Sequence, residues 1–397
     1  MIDSPKFWAY NNVKISCKGG ICMRKHWLDN IRWATVVLVV FYHVVWEYNA
    51  EGILGGLGKI TSLETQWIDL LMYIVYPWFM PLLFIVSGIS AKLYLEQHTD
   101  REFFKSRTTK LLVPSTIGVL VFGFVQGYLS MAIGGAFDSM AEVPPFVLYL
   151  IMCASGIGVL WYIQLLWVFS LVLVIVRKIE KDRLHNLCAK TNVAVLALFA
   201  VPVWGAAQIM NTPLIVVYRF GLYGIVFFLG YFVFSHDEVI ERLKKWFPLF
   251  GAAALALCAA FCICYFGKNI ADKPVNRTPL YAAFAWFACL ALLGGAARFF
   301  DFENAFTKWT NKRSWGLYVF HMIGISAVAL YFGKTALLPP ALTYVLSLIA
   351  GFAVGYGLNA IISRIPFFRW AILGIKKQRT AAEKPRTNQE TAKDSNV

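Results

Sequence analysis

Charged residues are scarce in this chain. Asp, Glu, Lys and Arg make up 15% of its 397 residues, whereas ordinary soluble domains contain about 25%. Hydrophobic residues make up 59%, and the mean hydropathy is +0.60. Apolar windows of about 20 residues, the length that crosses the hydrocarbon core of a bilayer, recur from Arg32 to Arg364. The composition therefore excludes a soluble globular protein and leaves no room for a separate soluble domain.

Acidic residues are scarcer than basic ones. The chain has 22 Asp and Glu and 37 Lys and Arg, which gives a formal net charge of +15. Most basic residues fall in segments that a ten-helix arrangement places on one side of the membrane. These segments are 1–32, 92–110, 177–190, 236–245, 298–313 and 364–397. Because cytoplasmic loops are enriched in Lys and Arg, both termini are predicted to be cytoplasmic. The positive charge then reflects contact with anionic inner-leaflet lipid, and we predict no nucleic-acid partner.

The apolar windows predict an all-α integral membrane protein with about ten transmembrane helices, a multi-pass protein of the cell membrane. The predicted spans are 33–49, 70–94, 111–133, 157–176, 193–209, 217–235, 247–266, 280–298, 314–332 and 341–363. Residues 24–364 would form one membrane domain. Residues 1–23 are predicted to be a poorly ordered extension that lacks the apolar core of a secretory signal. The polar, basic residues 365–397 are predicted to be a disordered cytoplasmic tail.

The eight cysteines form no framework that would bind a metal. Cys258, Cys262 and Cys264 lie close together in sequence, but they stand in an apolar helix with no histidine or carboxylate beside them. A structural zinc site needs about four converging nitrogen or sulfur ligands. We therefore expect inert thiols and no metal cofactor.

The segment RWATVVLVVFYH places Arg32 at the start of the first span and His43 within it. At 1.5 Å per residue, the two side chains would lie on one helix face about 16 Å apart along the axis. Arg32 would then be at the membrane surface and His43 near the midplane. An ionisable group at that depth costs at least ~2.5 kcal/mol and normally faces a cavity, a partner or a substrate path. His43 is therefore the first candidate for a catalytic residue.

Two carboxylates flank this pair in sequence. Asp29 precedes Arg32 by three positions, so the two are placed to pair on one helix face. Glu47 follows His43 by four positions. A carboxylate there could fix the tautomer of a general base, which makes Glu47 a second catalytic candidate. It could equally be a residue of the outer surface.

The next two spans carry further polar side chains. Ser87 and Gly88 interrupt the apolar run of the second span. Gly88 would let helices approach closely, and Ser87 could line a cavity. Arg107 and Lys110 stand at positions i and i+3 just before Pro114. They could bind phosphate, or they could anchor the segment at the cytoplasmic surface.

These segments, in this order, resemble the acyltransferase 3 family of integral membrane O-acyltransferases. The resemblance is carried by LDNIRW and FYH with their arginine-x10-histidine spacing, by FIVSG, by FF-x-x-R-x-x-K-L-L-x-P, and by SWGLYVFH, which contains Ser314, Tyr318 and His321. It covers the helical body from about Arg24 to Arg364.

The resemblance implies transfer of an acyl group, often acetyl, from cytoplasmic acyl-coenzyme A to a hydroxyl of an extracytoplasmic acceptor, commonly a glycan. It matches Arg32 and His43 to the family's arginine and essential histidine. The residues predicted to bind the acyl-CoA donor are Arg32, Arg107, Lys110 and Ser87. His43 could act as a general base for direct transfer or could carry the acyl group itself.

Four more residues are candidates for contact with the acceptor, a cell-surface glycan or a lipid-linked molecule. Arg219 lies near the outer end of the sixth span, where a cation needs a partner such as an acidic acceptor or a lipid phosphate. Trp161 could stack on a sugar or anchor the helix at the membrane interface. Tyr318 and His321 share one stripe of the ninth span and could line a cavity or bond within the bundle.

A transporter, or a channel for protons or anions, is the alternative function. Intramembrane histidines and an arginine would serve ion movement as well as catalysis. Transporters often contain internal repeats with paired broken helices, and the two halves of this chain show no such similarity. The sequence therefore favours the enzyme.

Overall fold

The structure, a computed structural model, describes residues 15–17, 20–22, 24–63, 66–212 and 217–375. Most of this part of the chain is helical. The α-helices are α1 (His26–Glu47), α2 (Leu70–Leu95), α3 (Asp100–Arg107), α4 (Val113–Gly118), α5 (Phe124–Ile133), α6 (Pro145–Ser155), α7 (Trp161–Glu180), α8 (Arg183–Cys188), α9 (Val193–Leu198), α10 (Ala200–Ala206), α11 (Phe220–Phe232), α12 (Asp237–Tyr265), α13 (Pro279–Phe299), α14 (Ala305–Val328), α15 (Pro340–Ile362) and α16 (Pro366–Leu373). Turns of π-helix join or extend some of them, at Thr108–Leu112, Val119–Gly123 and Ala329–Gly333.

The all-α integral membrane fold is confirmed. Within the described residues, eight helical segments are long and apolar enough to cross a bilayer. They are His26–Glu47, Trp67–Leu95, Asp100–Ile133, Gly158–Glu180, Asp237–Tyr265, Pro279–Phe299, Ala305–Gly333 and Pro340–Ile362. The predicted spans 193–209 and 217–235 are the shorter apolar helices Val193–Ala206 and Phe220–Phe232.

Several helices begin before the apolar window that predicted them. The third span was predicted to start at 111, but its helix begins at Asp100 because Thr99 and Glu102 form a capping box. Asn304 and Thr307 form a similar box at the start of α14. Such caps satisfy the free N–H groups of the first turn with side-chain oxygens. Polar residues near the membrane surface therefore belong to the helices and not to the loops.

The segments rich in Lys and Arg meet at one end of the bundle, which we call the basic end. It comprises residues 24–30, 92–100, 177–191, 235–242 and 300–304. Asn30 Nδ2, on α1, donates to the carbonyl of Phe300 at 2.6 Å. The ion pairs that join the basic end are Lys25 with Asp237, Lys92 with Asp182, and Arg177 with Asp100.

The short helices α9 and α10 connect the basic end to the opposite end. Before α9, Arg242 Nη1 donates to the carbonyl of Thr191 at 2.8 Å, at the basic end. At the far side of α10, Trp204 Nε1 donates to the carbonyl of Arg277 at 3.0 Å, in the loop after α12. The two helices together therefore make one pass along the bundle.

Helix α11 makes the return pass. Before it, Arg219 Nη2 donates to the carbonyl of Asn276 at 2.6 Å, at the opposite end. After it, Ser235 Oγ lies 3.1 Å from His185 Nε2, at the basic end. The described chain thus passes ten times between the two ends, as the spacing of the apolar windows predicts.

Parts of the two predicted terminal segments are described. Residues Ile15–Cys17 and Gly20–Cys22 form a short antiparallel strand pair. The other residues of the predicted extension 1–23 lie outside the described residues. At the other terminus, the structure has helix α16 where the predicted tail begins, and Ala371, Ile372 and Leu373 are buried. The folded body therefore extends past 365, while 376–397 lie outside the described residues and their disorder stays a prediction.

Helix α2 is central and packs against α1, α11 and α13. Its contact with α11 depends on two glycines. A Cβ added at Gly88 would lie 2.1 Å from the carbonyl oxygen of Phe227, and one added at Gly230 would lie 2.2 Å from that of Ile85. The two backbones therefore touch, which is the close approach that Gly88 predicts.

We expect Gly88→Ala to destabilise the protein by about 1–3 kcal/mol or more, because the methyl group meets backbone that cannot rotate away. Gly251→Ala on α12 is the matched control, since nothing lies within 4 Å of an added Cβ there. Thermal unfolding of the purified proteins in detergent measures both changes. Equal melting temperatures would contradict the close α2–α11 contact.

The orientation predicts which loops a membrane-impermeant thiol reagent reaches. In a cysteine-free background, Gln97→Cys at the basic end and Lys312→Cys in the predicted cytoplasmic segment 298–313 should be labelled only after the cells are opened. Both side chains are exposed. Glu51→Cys, an exposed position at the opposite end, should be labelled in intact cells. The reverse pattern would overturn the cytoplasmic assignment of the basic end.

Candidate functional site

Two histidines meet in the interior of the bundle. His321 Nε2, on α14, lies 3.1 Å from His43 Nδ1, on α1. The ring centroids are 5.0 Å apart. His321 is fully buried, whereas His43 is partly exposed. The structure thus brings together two residues that sequence reasoning assigned to different roles.

The backbone around these rings determines where their protons lie. His321 Nδ1 is 3.0 Å from the carbonyl oxygen of Leu317 and 2.8 Å from that of Tyr318. Both are acceptors, so Nδ1 carries the proton and Nε2 of the neutral ring is left as an acceptor. His43 Nδ1 therefore faces two acceptors, His321 Nε2 and the carbonyl of Val39 at 2.9 Å. It must carry a proton, and the lone pair of neutral His43 is at Nε2.

Glu47 does not make the contact with His43 that the four-residue spacing suggests. Ser326 Oγ donates to Glu47 Oε2 at 3.5 Å, and Gln126 Nε2 donates to Ser326 Oγ at 3.1 Å. Glu47 is fully buried, which rules out the outer-surface alternative. The side chain hydrogen-bonded to the imidazole of His43 is instead that of His321. The catalytic assignment of Glu47 stays a prediction.

Arg32 is buried and its charge is already balanced. Its Nη1 lies 2.5 Å from Asp29 Oδ1, so the predicted pair is confirmed. Asp29 Oδ2 also accepts from Arg24 Nη2 at 2.6 Å. Arg32 Nη2 donates to Ser90 Oγ on α2. Arg32 therefore ties α1 to α2 near the basic end.

Ser87 and Arg32 are both near the hydroxyl of Tyr162. Ser87 Oγ and Tyr162 Oη are 2.8 Å apart, and Tyr162 Oη donates to the carbonyl of Leu83 at 3.3 Å. Both Arg32 and Arg107 are close enough to act electrostatically on the Tyr162 hydroxyl. Of the four predicted donor-binding residues, Ser87 therefore contacts Tyr162, and Arg32 and Arg107 lie within electrostatic range of it.

The local backbone explains how Arg107 and Lys110 are presented. Pro114 has no N–H, so the carbonyl of Lys110 loses its usual helical donor. The chain widens there into the π-helical turn Thr108–Leu112, a feature found frequently at functional sites. The guanidinium of Arg107 lies over the ring of Phe103, 4.9 Å from its centroid. Lys110 is within electrostatic range of Arg107, so two cations stand side by side.

Tyr318 and Trp161 connect this region to the histidines and to a tyrosine cluster. Tyr318 Oη donates to the carbonyl of Val159, and its ring lies 6.1 Å from that of Tyr162 and 6.3 Å from that of His321. Trp161 lies 5.4 Å from Tyr223 on α11. The ring of Tyr318 therefore lies between the predicted donor site and the histidine pair.

Arg219 is almost fully buried, beside a group of tyrosines from four helices. Its Nη1 lies 3.3 Å from Tyr281 Oη, and its Nη2 donates to the carbonyl of Asn276. The tyrosines of this cluster are Tyr42 of α1, Tyr76 of α2, Tyr223 of α11 and Tyr281 of α13. Sequence reasoning missed them, because nothing in their spacing shows that four separate helices place their rings together.

The comparisons with known proteins bear on the whole helical body. A family model described as an acyltransferase domain, Acyl_transf_3, matches residues 25–360. That range contains both histidines, the basic pair of the third span and the Arg219 cluster. A search of curated proteins and a search of solved structures each found no match.

Proposed function

The chain belongs to the acyltransferase 3 family and is an integral membrane O-acyltransferase, and we propose that His43 is its general base. In this proposal an acyl group, acetyl in the simplest case, passes from cytoplasmic acyl-coenzyme A to a hydroxyl of an extracytoplasmic acceptor. The acceptor is a cell-surface carbohydrate or a lipid-linked precursor, and the enzyme acts in the cell membrane. The family match favours this reaction over transport.

The observation that carries the proposal is the hydrogen bond between the two histidines. It holds a proton on Nδ1 of His43 and leaves Nε2 free to accept one. His43 Nε2 takes the proton of the acceptor hydroxyl as its oxygen attacks the thioester carbonyl. The carbon–sulfur bond then breaks, and the departing thiolate receives the proton from the imidazolium. His321 positions His43 and does not itself touch the reacting atoms.

The donor is proposed to enter from the basic end. Coenzyme A is polyanionic, so its phosphates would bind Arg107 and Lys110, a planar fork beside a point charge. Arg32 is held by Asp29 and contributes less to this charge. Ser87 and Tyr162 supply hydroxyls farther along the bundle, where the pantetheine arm would pass toward His43.

We expect His43→Ala to lower the rate of acyl transfer by about 10²–10⁴, the usual contribution of a general base. His321→Asn should lower kcat less, with KM for the donor unchanged, because the tautomer of His43 is no longer enforced. Transfer of radiolabelled acetyl from acetyl-CoA to membrane carbohydrate measures both effects.

His98→Ala is the control for this experiment, since His98 contacts Tyr94 near the basic end, away from the histidine pair. It should transfer at the wild-type rate. Full turnover by His43→Ala would refute the assignment of His43 as the general base. Label retained on the wild-type protein but not on His43→Ala would replace direct transfer by an acyl-imidazole route.

A second prediction concerns the affinity of the proposed donor site for acetyl-CoA. Replacing Arg107 and Lys110 together by Gln should weaken acetyl-CoA binding by about 10- to 100-fold per residue, because a charge-assisted hydrogen bond contributes about 1.5–3 kcal/mol. Calorimetry on the purified, folded protein measures the affinity. Arg107→Lys should also weaken binding, since the planar fork is lost.

The matched control removes the same charge from the same helix. Arg101 and Lys105 are exposed residues of α3, and replacing both by Gln should leave acetyl-CoA affinity unchanged. If both double variants bind the donor like the wild type, Arg107 and Lys110 are surface anchors and the donor site lies elsewhere. If both lose affinity equally, only the overall positive charge matters.

A further inference from the structure

Arg219 is a cation buried at the opposite end of the bundle, with 1% of its surface exposed. Among the described residues it forms no ion pair with a carboxylate. Its two hydrogen bonds go to neutral oxygens, the hydroxyl of Tyr281 and the carbonyl of Asn276. A guanidinium has five N–H donors, and the hydrogen bonds within the described part of the chain use two of them. Buried charges are normally paired, because removing them from water is costly.

The phenols around Arg219 are also incompletely bonded. Tyr42, Tyr76 and Tyr223 are buried, and no hydrogen bond to any of their hydroxyls is found within the described part of the chain. Buried polar groups are seldom left this way, and an absent ligand is one reason when they are. Tyr76 and Tyr223 lie within electrostatic range of Arg219, and Tyr42 stacks on Tyr76. Three hydroxyls that can donate therefore share one cluster with a cation that has no carboxylate partner among the described residues. This arrangement favours an anion.

An amide oxygen extends the same pattern. Asn276 Oδ1 is buried without a hydrogen-bond partner among the described residues, and its backbone carbonyl holds Arg219. An amide oxygen accepts hydrogen bonds, which suits a hydroxyl and not an anion. The cluster thus presents donors for a negative charge and an acceptor for a hydroxyl, which complements the carboxylate and the hydroxyls of an acidic sugar.

The cluster is continuous with the histidine pair. The ring of Tyr281 is 6.4 Å from that of Tyr76, which stacks at 5.9 Å on Tyr42. Tyr42 precedes His43, and their rings are 5.1 Å apart. A molecule bound against these phenols would therefore place its neighbouring hydroxyls near His43.

We propose that Arg219 and the hydroxyls of Tyr42, Tyr76 and Tyr223 bind the carboxylate of an acidic carbohydrate. The phenols and the guanidinium donate to the carboxylate, and Asn276 Oδ1 accepts from a sugar hydroxyl. That this carbohydrate is the acyl acceptor rests on the proposed function, whereas the anion site itself does not. A phosphate of a lipid-linked molecule has related chemistry, and the experiment below separates the two.

The first experiment measures binding to the full-length protein in nanodiscs without any donor, by calorimetry. The ligands are methyl glucuronide, methyl glucoside with the same ring and no charge, and methyl phosphate. We expect the glucuronide to bind at least 10-fold more tightly than the other two. Arg219→Gln should abolish this preference, and Arg219→Lys should keep part of it because the charge remains. Equal affinity for glucuronide and glucoside would refute the anion site. Tighter binding of methyl phosphate than of glucuronide would refute a carboxylate as the bound group.

The second experiment uses variants that remove a single oxygen. If the phenols only fill space, Tyr76→Phe and Tyr223→Phe should have normal affinity and equal or higher stability, because an unbonded hydroxyl is removed. If they bind the carboxylate, each should bind methyl glucuronide about 10-fold more weakly while the melting temperature does not fall. Unchanged affinity in both variants would overturn the role of the phenols.

Tyr73→Phe is the matched control. The Tyr73 hydroxyl donates to the carbonyl of Lys268 at 2.7 Å and lies outside the cluster. This variant should melt at a lower temperature and bind methyl glucuronide normally. A wild-type protein that prefers methyl glucuronide but transfers no acyl group from acetyl-CoA would refute the proposed function and leave the anion site standing. Transfer to neutral carbohydrate alone would refute the acidic acceptor and leave the enzyme.

Discussion

The hydrogen bond between His321 and His43 depends on a property of the bilayer. Water is absent from the hydrocarbon core, so a polar side chain there must bond to protein. The carbonyls of Leu317 and Tyr318 are the acceptors available to His321, and they determine which of its nitrogens carries the proton. Because His321 Nε2 is then an acceptor, His43 Nδ1, on a different helix, must carry a proton. The proposed chemistry therefore requires α1 and α14 to pack in one register.

Charge is distributed unequally between the two ends of the bundle. Near the basic end, Arg32 is paired with Asp29, and at that end carboxylates hold several other cations. At the opposite end, Arg219 is bonded only to neutral oxygens among the described residues. This asymmetry matches the two proposed substrates, since a polyanionic donor would meet cations at the cytoplasmic surface and an acidic acceptor would meet one buried cation. The histidine pair lies between them.

Much of the fold follows from the sequence. Hydropathy windows predicted the class and the ten passes, and the basic segments predicted which loops share an end. Helix starts were wrong where caps such as Thr99 with Glu102 extend a helix beyond its apolar window. In the site, Arg32 with Asp29 could be predicted because both lie on one helix, within reach of each other. Glu47 satisfies the same spacing rule toward His43, yet its hydrogen bond goes to Ser326 on another helix.

The sequence by itself determined the membrane class, the number of passes and the identity of His43 as a candidate, because these depend on local hydropathy and on the cost of a buried ionisable group. Only the tertiary structure decided which polar side chains meet across different helices. Tyr42, Tyr76, Tyr223 and Tyr281 come from four helices, and His321 meets His43 across 278 positions of chain. Such contacts depend on how helices rotate and pack against one another. Glycines such as Gly88 and Gly230 permit that packing, but their spacing does not specify the partner.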